Sequence, residues 1–143
     1  MISLIEPTTK EDFEKYFELR WRILRAPWKQ PKGSEQDIEE NRCYHIMAID
    51  ENMVVGVARL QFPEENIAQL RYMAVDKRFQ NKGIGKKIVS HMEEVAQKNN
   101  AEKLMLHARD NAIGFYQALG YVITEPSYLL FGSIQHYKMH KKL

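Results

Sequence analysis

Residues 67–108 constrain this chain more than any other stretch. Ile67 to Val75 reads as an apolar strand and Lys103 to Ala108 as another. Between them runs an amphipathic helix that begins at Gly83, carries Ile84, Ile88, Val89, Met92, Val95 and Ala96 on one side, and ends at Asn99-Asn100. Strand, helix and strand in that order imply a parallel crossover, so the sheet is not a plain meander. The helix opens on Gln80-Asn81-Lys82-Gly83-Ile84-Gly85. A glycine-bearing turn at a helix start presents free backbone N–H groups, and the helix dipole adds partial positive charge there. Lys82, Lys86 and Lys87 add full charges. Together they predict a site for a diphosphate, and so a phosphorylated cofactor.

The flanking segments complete a mixed sheet. Ser3 to Glu6 reads as a short strand ended by Pro7. Thr8 and Thr9, with Glu11 and Asp12 three positions on, fit a helix N-cap. Phe13, Tyr16, Phe17, Ile23 and Leu24 then recur at roughly helical spacing up to Arg25. Ala26 to Glu40 reads as irregular, with a helical turn at its tail. Tyr44 to Ile49 and Met53 to Gln61 flank Asp50-Glu51-Asn52 as a hairpin. Gly56 inside the second strand predicts a bulge or a close backbone approach, and Pro63 to Asn66 a turn. Asn111 to Leu119 reads as a short helix closed by Gly120. Tyr121 to Thr124 and Ile134 to Lys141 form a final strand pair. The expected fold is α/β, a mixed, mostly antiparallel sheet with helices on both faces, in one domain over residues 1–143.

Bulk properties exclude several classes of function. The chain has 143 residues, 44% of them hydrophobic and 28% charged, which is enough to bury a core. A net charge of +2 is too small to argue for nucleic acid, although the lysine cluster with Tyr137, Lys138, Lys141 and Lys142 raises that alternative. The single cysteine, Cys43, excludes an internal disulfide and a Cys-rich zinc site, and no metal is expected. A lone cysteine is more often a small buried hydrophobe than a nucleophile. The N-terminus has no basic region followed by an apolar run, and no apolar run approaches the ~18 residues of a membrane span. A cytoplasmic protein with neither nucleic acid nor membrane as partner is the expectation.

Two familiar phosphate loops fail on the glycine segment. A Rossmann turn needs three spaced glycines, and only Gly83 and Gly85 occur; a Walker loop needs Ser or Thr where Lys87 stands. A helix that merely starts after a turn is the remaining alternative. Ala74-Val75-Asp76 followed by Gln80-Asn81-Lys82-Gly83-Ile84-Gly85 resembles the acetyl-CoA signature of the GNAT superfamily of N-acetyltransferases. Phe115-Tyr116-Gln117-Ala118-Leu119-Gly120-Tyr121 is similar to that family's F-Y-x-x-L-G-[FY] segment. Leu19-Arg20 and Gln135-His136 resemble the ElaA-like branch.

The resemblance implies a GNAT-like acyl-CoA N-acyltransferase fold, with acetyl-CoA as cofactor. The coenzyme would lie in a V between the two strands named first. The backbone of Met73, Ala74 and Val75 would pair with pantetheine, and a free N–H there would stabilise a developing oxyanion. The amides from Gln80 to Lys86 would hold the pyrophosphate, with Lys82 or Lys86 touching phosphate. Tyr116 matches the family's general acid, although its spacing alone favours a packed helix aromatic. A phenol (pKa about 10) protonates a thiolate (about 8.5) only if oriented and desolvated. Many relatives carry a Glu on the strand that here reads Ile67-Ala68-Gln69-Leu70-Arg71-Tyr72-Met73, which has no acid. His107, at the carboxyl end of the next strand, becomes the candidate base, with a structural histidine as the alternative; His136 and a water chain are weaker candidates. Relatives often carry an Asn seven positions before the Tyr, where Arg109 stands here. Asn111 is then either a cofactor contact or a helix cap.

For the acceptor, Arg59 and Arg71 lie on adjacent antiparallel strands, about equally far from the turn between them. Side by side they repel unless an anion lies between them. That predicts a carboxylate- or phosphate-bearing acceptor, or else pairing with an acid such as Glu35, Glu39 or Glu64. Trp28, in Pro27-Trp28-Lys29-Gln30-Pro31, either roofs the acceptor cleft or anchors its loop. The acceptor is a small-molecule or peptide amine. The alternative function is a non-catalytic acyl-CoA-binding regulatory module, and a homodimer is left open.

Overall fold

Helix α1 (Lys10–Leu24) starts where Thr9 and Asp12 close a capping box: the Asp12 N–H donates to Thr9 Oγ1 (3.0 Å) and the Thr9 N–H to the Asp12 carboxylate (3.2 Å). The structure, a computed structural model, describes residues 1–143. Its strands are β1 (Ser3–Ile5), β2 (Tyr44–Asp50), β3 (Met53–Glu64), β4 (Ile67–Val75), β5 (Lys103–Arg109), β6 (Val122–Leu130) and β7 (Ile134–Lys142). They form one seven-stranded sheet in the order β1-β2-β3-β4-β5-β7-β6. Only β4 and β5 pair in parallel, and the crossover between them is α2 (Ile84–Lys98). A short α3 (Ile113–Ala118) leads from β5 toward β6. The mixed, mostly antiparallel sheet read from the sequence is present.

The helices cover opposite faces, because alternate residues of each strand point to opposite sides. α2 packs Ile84, Ile88, Val89, Met92 and Ala96 with Ile46, Ala58 and Leu60. α1 packs Tyr16 and Leu19 with Met47, Val57 and Ala74. At Gly56 both expectations hold. The β2–β3 register shifts beside it, between Ala48 and Ile49. A Cβ there would lie 2.9 Å from Ile88 Cδ1 and 3.1 Å from Ile84 Cγ2. Gly56→Val is therefore expected to cost about 1–3 kcal/mol through overpacking, read as a lower denaturation midpoint at unchanged slope. Parental stability in that variant would show that α2 is free to lift.

Some boundaries differ from the sequence reading. β3 continues through Pro63 to Glu64, where a register shift between Gln61 and Glu64 releases the proline from the ladder. The helix expected from Asn111 begins as a 3-10 turn, Asp110–Ala112. β6 runs past Pro126 to Leu130, again at a register shift.

The irregular segment after α1 is held on the α1 face by charge. Arg20 and Arg59 are fully buried there. Arg59 donates to both Asp37 carboxylate oxygens (2.8 and 3.0 Å) and to Gln61 (2.6 Å), and lies 2.9 Å from Glu40 Oε2. Arg20 donates to the same Glu40 oxygen (2.9 Å), to the Glu35 carbonyl (3.1 Å) and to the Tyr16 hydroxyl (3.0 Å). The Tyr72 ring lies against both guanidinium groups, at 4.4 and 4.8 Å. The Arg59 guanidinium, more than any other group, holds the Asp37 carboxyl down at about 2.

Candidate active site

β4 and β5 pair only at Ile67–Lys103, Ala68–Leu104 and Gln69–Met105, and then part. The cause lies in β4. Ala74 stands opposite Val57 and Arg71 opposite Arg59, so β4 has one residue more than β3 between these pairs. Tyr72 occupies this bulge at φ 53°, a conformation costly for any residue but glycine. Ala68 and Leu70 face the α2 core, whereas Ala74 faces α1. The bulge thus turns the strand over and leaves its outer edge unpaired. A cleft of about 920 Å³ opens along it, lined by Met73, Ala74, Val75, Leu106, Ala108 and Tyr116 among others.

One end of the cleft is rich in donors. The Asp76 carboxylate accepts from the Arg78 N–H (2.9 Å) and pairs with the Arg78 and Arg22 guanidinium groups (3.2 Å each); Arg78 above all holds its pKa at about 2. The chain then turns through Asn81 (φ 62°) and Gly83 (φ 82°) into α2. No backbone N–H from Gln80 to Lys86 donates within the chain; the first helical bond is Lys87 N–H to the Gly83 carbonyl (3.0 Å). No side chain caps the helix and its first turn holds no acid. These donors fit a diphosphate, and the unpaired β4 edge fits an extended amide-bearing arm. Gln80, Asn81, Gly83, Ile84, Gly85 and Lys86 all line the cleft. Lys82 does not: it is exposed, with Nζ 5.3 Å over the Phe79 ring. Asn111 lines the cleft and does not cap α3, whose N-cap is Ala112.

The cleft is also lined by groups that could move protons. Tyr116 is 7% exposed, edge-on to the Phe115 and Tyr121 rings at 4.9 and 5.8 Å. Burial raises its pKa above the ordinary phenol value, so the hydroxyl keeps its proton. Tyr121, beside it, donates instead to Glu93 (2.8 Å). His107 alternates with Leu106 and Ala108 and so faces the α1 side, its ring 5.4 Å from Tyr128. Its Nδ1 is buried without a partner. Desolvation first, then the Lys138 and Arg71 charges, push its pKa below the ordinary imidazole value, which leaves a neutral ring at pH 7. His136 stacks flat on Tyr128 (4.4 Å, 13°), with Nδ1 3.0 Å from the Ile134 carbonyl oxygen. No Asp or Glu lines the cleft.

Arg59 and Arg71 do stand directly opposite each other, but the acceptor role expected of Arg59 needs correction. Asp37 and Glu40 take up its guanidinium, and it does not reach the cleft. Carboxylates of the chain itself relieve the expected repulsion, and they are not Glu35, Glu39 or Glu64. Arg71 does line the cleft, with Nη1 3.7 Å from Asp37. Trp28 is not on the cleft wall; its ring lies 4.5 Å from the Arg109 guanidinium and 6.3 Å from the Phe131 ring. Arg25, Tyr72 and Tyr128 line the cleft without having been singled out in the sequence. Arg25 carries only the weak signal of ending an amphipathic helix beside a proline-flanked loop.

Free amides at a helix start, an unpaired strand edge and a buried phenol are the parts that an acyl-CoA-dependent transferase would use. The profile of the acetyltransferase (GNAT) family matches residues 13–121. The chain is 34% identical over 139 residues to protein YyaT of Bacillus subtilis (strain 168), covering 95% of this chain and 93% of YyaT. Among solved structures, Escherichia coli ElaA superposes with a TM-score of 0.83 at 18% identity, covering 99% of this chain and 100% of that one. A GNAT family acetyltransferase from Elizabethkingia anophelis, solved with acetyl-CoA bound, gives 0.77 at 19%, covering 99% and 98%. The chain belongs to the acetyltransferase (GNAT) family, whose members use acetyl-CoA and act on amines. No helix is long and apolar enough to cross a membrane.

Proposed function

We propose that this chain moves the acetyl group of acetyl-CoA to a primary amine by direct attack within a ternary complex. The observation that carries this reading is the slot between β4 and β5, lined by unpartnered amides, Tyr116 and His107 together. Acetyl-CoA supplies an acetyl group activated as a thioester. The amides of Gln80 to Lys86 hold its diphosphate, and the edge of Met73 to Val75 aligns its arm. In the transfer, a C–N bond forms as the C–S bond breaks. His107 Nε2 takes the proton the amine gives up, and the Tyr116 hydroxyl gives one to sulfur. Burial disfavours the phenolate and the thiolate alike, so the solution gap between their pKa values does not decide the direction. Every group named comes from one protomer and one domain.

Thiol release from acetyl-CoA across a panel of amines tests the reading. Turnover with a primary amine supports it; tight acetyl-CoA binding without turnover on any amine returns the non-catalytic module. The pH profile tests the base. A base works unprotonated, and the pKa of His107 is lowered, so the acid limb of kcat is expected below the ordinary imidazole value of 6.5. In His107→Gln that limb is expected to move to the alkaline side, where the acceptor must lose its proton to solvent. An unmoved limb would exclude His107 as the base.

A further inference from the structure

We propose that Arg25 and Arg109 form a binding site for an oxyanion carried by the acceptor, so that the amine acetylated here also bears a carboxylate or a phosphate. The proposal rests on the N-acetyltransferase reading above and names its substrate class. Both residues line the cleft. Arg109 ends β5, and its neighbour Ala108 faces the α2 core, so Arg109 faces the α1 side with His107, directly opposite His136. Arg25 caps the carboxyl end of α1 on that same side. The amides that open α2 belong to the other face, so this pair lies across the slot from the diphosphate cradle.

The pair has no counter-charge. The Arg109 guanidinium makes no hydrogen bond or ion pair within the chain; it lies 4.5 Å from the Trp28 ring. Arg25 is aimed by backbone alone, Nε donating to the Ser34 carbonyl (3.2 Å) and Nη1 to the Leu24 carbonyl (3.1 Å). Its guanidinium packs 5.5 Å from the Phe131 ring and 5.7 Å from the Tyr72 ring. Burial first, and then the Arg25 charge, pull the pKa of Arg109 below its ordinary value, which marks two cations in each other's field. Arginine nonetheless stays charged.

The contrast with Arg20 and Arg59 is informative. Where this chain buries arginines for structure, it supplies Asp37 and Glu40. At the cleft it places Arg25, Arg71, Lys86 and Arg109 and no carboxylate. Two partly buried cations without a counter-charge are unfavourable until an anion joins them. Guanidinium forks suit the paired oxygens of a carboxylate or phosphate. The Trp28 ring against Arg109 and the Phe131 ring against Arg25 shield one side of each guanidinium from water and strengthen the contact. An acceptor with further positive charge is repelled.

The test uses acceptors in matched pairs: carboxylate-bearing amines against their amides, and phosphate-bearing amines against their free alcohols. The anionic member of at least one pair is expected to have about 10- to 100-fold higher kcat/KM, the worth of one or two charge-assisted hydrogen bonds. Which pair shows it separates carboxylate from phosphate. In Arg109→Gln the ratio within that pair is expected to collapse through KM, and Arg25→Gln repeats the test should Arg109→Gln fail to fold. Equal or better turnover of neutral or cationic amines overturns the site, as does an Arg109→Gln variant that weakens acetyl-CoA binding instead. If no amine turns over, the transferase reading fails, and a direct readout decides the site separately. Inorganic phosphate or succinate is then expected to raise Tm in the parent and not in Arg109→Gln; no rise in the parent overturns the proposal.

Discussion

Tyr116→Phe is expected to lower kcat by about 10²- to 10⁴-fold, the usual contribution of one positioned proton donor, with acetyl-CoA affinity and Tm close to the parent's. The prediction is sharp because of what the hydroxyl does not do. It takes no part in the chain's hydrogen bonds, and burial is the only cause of its raised pKa. The ring, by contrast, packs between Phe115 and Tyr121, and phenylalanine keeps both contacts. Removing the oxygen therefore removes a proton and little else. Thiol release at saturating acetyl-CoA, with calorimetric titration of the coenzyme, separates the two effects. A variant with full turnover on its best acceptor would reduce Tyr116 to a packed aromatic.

Arg59→Met is expected to cost about 3–5 kcal/mol, because it leaves carboxylates facing a guanidinium-shaped gap. For a chain of this size that is a fall in Tm of roughly 6–20 °C. The loss comes from Asp37 and Glu40, now without Arg59, rather than from the missing methylenes. Arg59→Met combined with Asp37→Asn is therefore expected to recover part of it, with Glu40 left in place because it also pairs with the buried Arg20. The pH dependence has a definite sign. The folded-state pKa of Asp37 is depressed to about 2 from 3.8, so the stability it contributes is present above the unfolded value and is lost as pH falls from about 4 toward 2. Asp76 titrates in the same window through Arg78 and Arg22. Arg59→Met should thus weaken the acid transition without abolishing it. A single variant as stable as the parent would contradict this account of the segment that carries Asp37 and Glu40.

The crossover and its glycine turn were legible because local chemistry dictates them. The apolar spacing of Ile84, Ile88, Val89 and Met92 needs a helix, and Gly83 at positive φ needs glycine. The capping box at Thr9 was equally local, whereas the crowding at Gly56 comes from Ile84 and Ile88 of α2. The acceptor side was not legible, because its charges are sorted by tertiary placement. Arg59 and Arg71 look equivalent along the chain, yet one is sealed by acids of an irregular segment and the other is left on the cleft. Nothing in the spacing of Asp37 and Glu40 announces which arginines they neutralise. The bulge at Tyr72 was invisible for a similar reason: a tyrosine at positive φ violates its own preference, and packing against Arg20 and Arg59 holds it there. Arg109 showed itself only as a departure from an expected asparagine, and its meaning came from the rings and the cation placed around it.

A structure determined with acetyl-CoA bound is the most direct test of the central claim. The diphosphate is expected within hydrogen-bond distance of the amides between Gln80 and Lys86, the pantetheine along the free edge of Met73 to Val75, and the sulfur beside the Tyr116 hydroxyl. A coenzyme seated elsewhere, with those amides still without a ligand, would contradict it.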